Sequence, residues 1–334
     1  MSQIKTRISG LGIYLPEQII TNKDLEKTLD TSDEWIFERT GIRARHRCST
    51  TGGEFPSDMA LKASQEALKQ AKLNPNDIDF ILFCSVTPDY KVPNTASILQ
   101  SKLGITNKCP CLDLSAACSG HVYAMSLANS LLKTGIAKNI LIASAEMLSR
   151  EVDWEDRSIC ILFGDGCGVF ILSAHTDPNS KADIHASHLE TDSNGREFFN
   201  QYIGGAVTPL TQEHLLARNH FMQMKGKEMF KVATRTLASN ALKALEKANL
   251  SIEEVDWVIP HQANSRIIET TGKLLGLSPE KIIDRICYTG NTSAASIPLA
   301  FHAAIEEGLI KRGQTILFDA FGAGLTSGAL VFTY

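Results

Sequence analysis

Three short segments, far apart in the 334-residue chain, each end on a group able to do acyl chemistry. They are Ala116-Ala117-Cys118-Ser119-Gly120, Pro260-His261-Gln262-Ala263-Asn264 and Gly290-Asn291-Thr292-Ser293-Ala294. Cys supplies a nucleophile, while His and Asn supply N–H donors that stabilise negative charge on a bound carbonyl oxygen. The set points to thioester chemistry. Cys118 follows the small residues Ser115-Ala116-Ala117 and precedes Val122, Met125, Leu127, Leu131 and Leu132, the apolar face of a helix. The macrodipole of that helix favours a thiolate at its N-terminus by roughly 0.3–1 kcal/mol, and up to ~2 when partly buried. His261 ends an apolar strand, where a neutral imidazole can donate one N–H to a ligand while the other nitrogen accepts from the backbone. Taken singly, each residue also has a plain structural role: a buried thiol, a strand-end His, and for Asn291 a helix N-cap, which is compatible with catalysis.

The elements that must bring these segments together show an internal repeat. Residues 67–84 (ALKQAKLNPNDIDFILFC) and 244–261 (ALEKANLSIEEVDWVIPH) align without a gap at an offset of 177, each reading as a helix end, a polar turn and a buried strand. Cys118 opens a helical stretch ending near Gly135 and followed by a strand over 139–145; Asn291 opens one ending near Gly308 and followed by a strand over 315–318, an offset of 173. Each half closes on a Gly-rich turn and a strand, Gly164-Asp165-Gly166-Cys167-Gly168 into 169–172 and Gly322-Ala323-Gly324 into 329–332. The repeat predicts two α/β halves about a pseudo-twofold axis, with the helices at Cys118 and Asn291 side by side and the strand end at His261 joining them. Two sheets sharing those helices make five layers. Residues 1–175 form the first half and 229–334 the second, with 176–228 an irregular insertion covering the site.

Composition narrows the class. With 43% hydrophobic and 21% charged residues the chain buries an ordinary core. A formal net charge of −4 argues against nucleic-acid binding, and no apolar run approaches the ~20 residues of a membrane span. The segment Met1-Ser2-Gln3-Ile4-Lys5-Thr6 lacks the apolar core of a signal peptide, so the cytoplasm is expected. For the same reason Asn291-Thr292-Ser293 is not read as a glycosylation acceptor. The nearest approaches to metal motifs, Cys109-Pro110-Cys111 and His185-Ala186-Ser187-His188, lack a second ligand pair, so no metal is expected. Gly164-Asp165-Gly166-Cys167-Gly168 precedes a strand, whereas the dinucleotide fingerprint follows one; it is read as a tight turn.

At these residues the sequence resembles the β-ketoacyl-acyl-carrier-protein synthase III family of the thiolase superfamily, over essentially the whole chain. The likeness includes Ser32-Asp33-Glu34-Trp35-Ile36, Arg39-Thr40-Gly41-Ile42-Arg43, Ala117-Cys118-Ser119-Gly120, Phe163-Gly164-Asp165-Gly166, His261-Gln262-Ala263-Asn264, Gly290-Asn291-Thr292-Ser293 and Phe321-Gly322-Ala323-Gly324. The resemblance implies a duplicated thiolase-like α/β/α/β/α fold, and an acyltransferase that joins an acyl-CoA primer to malonyl-acyl-carrier protein through an acyl-Cys118 intermediate. His261 and Asn291 would stabilise the enolate formed as carbon dioxide leaves. The backbone N–H groups of Cys118 and Ala323 would form the oxyanion hole, and Phe321 would shield the site. Coenzyme A would lie against Trp35 and Arg157, which sandwich its adenine, with Arg39 near phosphate and Asn264 along the pantetheine arm. Lys225, Lys227, Lys231, Arg235, Arg266 and Lys273 would face the acidic carrier protein, unless they form only a solvated helix face. The resemblance implies a homodimer and no cofactor beyond the coenzyme A thioester.

Some residues depart from the family pattern. His121 stands where an aromatic often follows the nucleophile's Gly, Lys227 replaces the usual Asn, Val92 occupies an acyl-pocket position held by Phe in some members, and 202–211 is unusual. Three other readings remain open at this point: a specialised acyltransferase of the same fold, a cysteine hydrolase in which His261 acts as base, and a noncatalytic acyl-CoA-binding paralogue.

Overall fold

The protein is described from a computed structural model, which covers residues 3–49 and 52–334. Met1 and Ser2, part of the N-terminal segment read above, lie outside the described residues.

Two sheets carry the fold. The first contains β1 (Lys5–Tyr14), β2 (Phe80–Cys84), β3 (Cys111–Leu114), β4 (Asn139–Glu146) and β5 (Gly166–His175), ordered β1-β5-β4-β2-β3. The second contains β6 (Asp183–Thr191), β7 (Trp257–Pro260), β8 (Thr315–Phe321) and β9 (Thr326–Thr333), ordered β7-β8-β9-β6. Strands β2 and β4 run parallel, as do β7 and β8, and all four read as nearly unbroken apolar runs because both faces are covered. The halves superimpose in order, except that the counterpart of β3 shrinks in the second sheet to a single bridge between Val258 and Ile282.

Seven helices supply the other layers: α1 (Asp33–Thr40), α2 (Pro56–Ala71), α3 (Thr95–Lys102), α4 (Gly120–Lys133), α5 (Gly226–Ala248), α6 (Ser265–Leu274) and α7 (Ser296–Glu306). Helices α4 and α7 lie between the sheets, α2 and α3 cover the outside of the first, and α5 the outside of the second. These are the five layers that the repeat predicts, in the arrangement that the resemblance implies. Phe301 on α7 is the hub of the middle layer, its ring meeting Phe170, Phe318, Phe332 and Tyr334. Outside the first sheet the packing is tighter still. A Cβ on Gly12 would fall 2.0 Å from the Ala63 carbonyl oxygen, so only glycine lets β1 approach α2 this closely.

Two expectations need correction. The helix openings correspond through the left-handed residues Ala117 (φ 47°) and Ser293 (φ 51°), an offset of 293 − 117 = 176. Cys118 therefore matches Ala294, three residues beyond Asn291. The segment 176–228 is also not wholly an insertion, because β6 is an edge strand of the second sheet paired with β9 along its length. Its half-buried, polar pattern hid it: Ser187 meets Ser126 at 2.7 Å, and the Glu190 carbonyl accepts from Tyr123 Oη at 2.9 Å. The irregular part is 192–225, which holds only a two-residue ribbon (Phe199–Asn200 with Gln223–Met224) and short helical turns.

Asp319 on β8 is fully buried, and neither carboxylate oxygen has a partner at full hydrogen-bond geometry, so burial, only partly offset by the nearby Ala320 N–H, raises its pKa well above the usual 3.8. The folded state then binds a proton that the unfolded state releases, and stability falls as pH climbs above about 3.8 toward the folded value. Asp319→Asn is expected to remove this loss, so its Tm advantage over the wild type should grow between pH 5 and pH 8 in thermal unfolding scans.

Candidate active site

Cys118 sits in a single 3-10 turn, Ala117–Ser119, between β3 and α4. The turn is held from within and from outside: its own Ser119 Oγ donates to the Ala116 carbonyl at 2.6 Å, and Thr326 Oγ1, beyond β8, donates to the same oxygen at 3.0 Å. The thiol is 5% exposed, and burial pushes its pKa up to about 12. The helix N-terminus was expected to favour a thiolate; desolvation outweighs it.

His261 follows β7 and is also buried, its pKa drawn down to about 3 by burial. The imidazole is therefore neutral. Its Nδ1 lies 2.6 Å from Ser296 Oγ, which already accepts the Gln262 N–H at 3.2 Å. Among the described residues Nδ1 is the one acceptor within hydrogen-bond reach of the Ser296 hydroxyl, so its proton is assigned to Nδ1, leaving Nε2 as an N–H donor. The partner of Nδ1 is a side chain on α7 rather than the expected backbone. Ser296 carried no signal in the sequence, since only the fold brings it to His261.

Asn291 is fixed on three sides. Its backbone N–H donates to Leu162 O at 2.8 Å, its carbonyl accepts from Gly164 N at 3.0 Å, and its Oδ1 accepts from Ser293 N at 2.8 Å. With Oδ1 committed, the amide nitrogen is the free donor. Cys118, His261 and Asn291 all line one cavity of about 330 Å³, together with Trp35, Arg39, Asn264, Arg266 and Phe321. Phe321 backs it from the cluster formed with Met229, Ala233 and Leu237.

The residues expected to form an oxyanion hole meet because Gly322 packs directly on the Cys118 turn. A Cβ at Gly322 would lie 2.7 Å from Cys118 N, so a side chain there would drive the Ala323 segment away from the Cys118 amide. Ala323 lines a second cavity of about 170 Å³ with Cys118, Val86, Leu148, Phe163, Phe199, Met222 and Ser293. Cys118 therefore stands where two cavities meet.

Other expected residues are placed less simply. Trp35 lies between two guanidinium groups, Arg39 at 4.2 Å and Arg157 at 5.2 Å from the ring centroid. A base sandwiched between Trp35 and Arg157 needs roughly 7 Å, twice a ~3.5 Å contact, so Arg157, bound here to Asp30, has to swing away first. Asn264 caps α6, with Oδ1 accepting from Arg266 N and Nδ2 donating to Arg39 O, both at 2.9 Å. Lys231 and Arg266 lie exposed on the packed helices α5 and α6, and Arg266 reaches the cavity rim over Phe230; Lys273 is paired with Glu269 at 2.5 Å. Val92 is 84% exposed and lines neither cavity of its own chain. His121 is buried beside Phe170 with Nδ1 2.9 Å from Ser144 Oγ, so it fills the aromatic's place. Asp165 of the Gly-rich turn accepts from Cys48 N and from Ser149, a structural staple.

A buried thiol, a neutral His donor and an Asn donor at the meeting of two cavities in a five-layered α/β fold define a thiolase-like acyl-transferring enzyme. Comparison with known proteins agrees. The family described as 3-Oxoacyl-[acyl-carrier-protein (ACP)] synthase III matches residues 112–193, and its C-terminal family matches 245–334. A β-ketoacyl-[acyl-carrier-protein] synthase III of Thiobacillus denitrificans is 46% identical over 98% of this chain and 99% of its own, and one from Methylococcus capsulatus is 43% identical over the same shares. The crystal structure of 3-oxoacyl-[acyl-carrier-protein] synthase III from Aquifex aeolicus superimposes with a TM-score of 0.90 at 43% identity, covering 98% of this chain and 100% of that one. The chain belongs to the β-ketoacyl-acyl-carrier-protein synthase III family. It is an acyltransferase of the condensing kind that initiates fatty-acid synthesis.

Ser296→Ala is expected to lower condensation by about tenfold, the worth of one buried hydrogen bond, while leaving acylation of Cys118 intact. Separate assays of acyl-enzyme formation and of 3-oxoacyl product check this.

Proposed function

We propose that Cys118 takes the acyl group from an acyl-CoA primer and passes it to the carbanion derived from malonyl-acyl-carrier protein. The observation that carries this reading is that Cys118, His261 and Asn291 line one cavity, with His261 Nδ1 and Asn291 Oδ1 already engaged so that Nε2 and Nδ2 are left as donors. A thioester oxygen held by those two donors carries enolate charge as carbon dioxide departs, and the enolate carbon attacks the acyl-Cys118 carbonyl. The oxygen of that carbonyl turns toward the amides of Cys118 and Ala323. A neutral His that already carries its proton on Nε2 is suited to donate and poorly suited to act as base, which disfavours the hydrolase reading. The chemistry calls for no metal or redox cofactor.

The 330 Å³ cavity is the pantetheine channel in this reading. Trp35 and Arg39 stand at its mouth for the nucleotide, and Asn264 lies along its wall. The apolar 170 Å³ cavity takes the primer. At about 30 Å³ per water-sized group it holds about six such groups, so a primer longer than acetyl fits. In this reading the exposed Lys231 and Arg266, beside the channel mouth, meet an acidic carrier protein. Strand β3 is a sheet edge, with Leu112, Tyr90 and Val92 exposed in its half of the molecule, and we read this face as the homodimer contact. All eight cysteines are free, which fits the reducing cytoplasm, and no helix among the described residues is long and apolar enough to cross a membrane.

Cys118→Ala is expected to abolish acyl capture, measured by intact-protein mass spectrometry after exposure to acyl-CoA. His261→Ala and Asn291→Ala are expected to acylate normally and to lose condensation by at least about 100-fold; equal loss of acylation in all three would contradict these roles. Lys231→Glu, at an exposed residue outside the cavity lining, is expected to raise KM for the malonyl-carrier protein severalfold, leave acylation by acyl-CoA unchanged and weaken the salt dependence of KM.

A further inference from the structure

If Cys118 is the nucleophile proposed above, its thiol has to shed a proton, and His261 is badly placed to take it. The His261 Nδ1 is occupied by Ser296, and Nε2 already bears a proton. On the other side of the thiol lies a different group. Glu146 ends β4 with its carboxylate completely buried, accepting from Thr87 Oγ1 at 2.7 Å, Ser85 Oγ at 3.1 Å and Val86 N at 3.1 Å. These partners are neutral.

Between Glu146 and Cys118 stands Ser293. Its Oγ is buried, faces both the thiol and the carboxyl, and interacts with each, yet has no partner at full hydrogen-bond geometry in the resting structure. A serine carries one hydroxyl proton, so it cannot donate to both neighbours at once; it can accept from S–H while donating to carboxylate. The turns carrying Cys118 and Ser293 pack against each other, and that of Ser293 packs against β4.

We propose that Ser293 and Glu146 form the route by which Cys118 loses its proton during acylation and recovers it after condensation. In acylation the Cys118 S–H bond breaks, its proton passes to Ser293 Oγ, and the Ser293 proton passes to the Glu146 carboxylate. The sulfur electron pair forms the new C–S bond to the primer. Collapse of the tetrahedral adduct breaks the C–S bond to coenzyme A, which leaves as thiolate and takes a proton from solvent. In condensation the enolate carbon forms a C–C bond to the acyl group, the acyl–Cys118 bond breaks, and the sulfur departs with its electron pair. The proton returns from Glu146 through Ser293, so thiol and carboxylate are both restored.

Burial raises Glu146 to about 7, near the value at which a carboxylate both accepts and returns a proton at neutral pH. The titratable groups facing it are the Cys84 and Cys118 thiols. Glu146 acts through Ser293 and does not touch substrate.

The test compares wild type, Glu146→Gln and Ser293→Ala by rapid-quench measurement of acyl-enzyme formation, using whichever acyl-CoA loads the wild type. The alanine variant is compatible with its backbone, because Ala117 occupies the matching left-handed position. Both variants are expected to acylate about 100-fold more slowly at pH 7 and to regain rate as pH rises and hydroxide takes the proton directly. Decarboxylation of malonyl-carrier protein without primer, which transfers no thiol proton, should persist in Glu146→Gln. Acylation at the wild-type rate in both variants overturns the relay, as does parallel loss of acylation and decarboxylation without recovery at high pH, which marks a structural role. A wild-type adduct mapped to a residue other than Cys118 overturns the nucleophile assignment itself, and the relay with it.

Discussion

The site depends on one backbone constraint: a strand that must turn into a helix within a few residues, at a left-handed residue that is not glycine. Ala117 (φ 47°) and Ser293 (φ 51°) take this conformation and both line the smaller cavity beside Cys118, while Leu325 (φ 48°) takes it between two strands, two residues beyond Ala323 in the same lining. Such a conformation costs on the order of 1–3 kcal/mol per residue and persists only where the surroundings enforce it. Here they do so together. Thr326 Oγ1 and Ser119 Oγ converge on the Ala116 carbonyl, and Gly322 lies against the Cys118 amide. The strained turns therefore brace one another, and their packing holds the thiol, the Asn amide and the Ala323 segment in a common frame.

Water exclusion then decides what each group can do. The same desolvation that pushes the Cys118 thiol up draws His261 down, because in each case the charged form is disfavoured. In the proposed reaction a neutral imidazole aimed by Ser296 donates a hydrogen bond to developing negative charge. A neutral thiol is not yet a nucleophile. The need for a proton acceptor is a consequence of burial that the helix macrodipole, worth at most ~2 kcal/mol, does not remove.

A buried guanidinium ties the site to the N-terminal segment. Arg45 is completely inaccessible and donates to Ile20 O at 3.1 Å, Asn22 Oδ1 at 2.9 Å and Ile161 O at 2.6 Å; burial lowers its pKa to about 10. Desolvating a cation without a directly bonded carboxylate is costly. Its return is positional: Ile161 precedes the Leu162–Gly164 backbone that bonds Asn291, and Gly164 and Gly290 both pack on the Arg45 Cβ. No spacing in the sequence marks Arg45 for this.

What the sequence determined by itself was the set of local identities: Cys118, His261 and Asn291, the apolar strands beside them, and a repeat near 177 residues that implied a shared middle layer. These are legible because periodicity and residue chemistry are local properties. The tertiary structure decided the register of the helix openings, in which Ala294 and not Asn291 answers Cys118, so that similar frames hold different groups. It also decided that β6 joins the second sheet, where polar contacts with α4 cover a strand lacking an apolar face. Protonation states lay equally beyond the sequence. Whether a thiol, an imidazole or a carboxyl is charged depends on the solvent and donors around it, and Ser296, Ser293 and Glu146 reach the site only through the folded packing of segments distant in the chain.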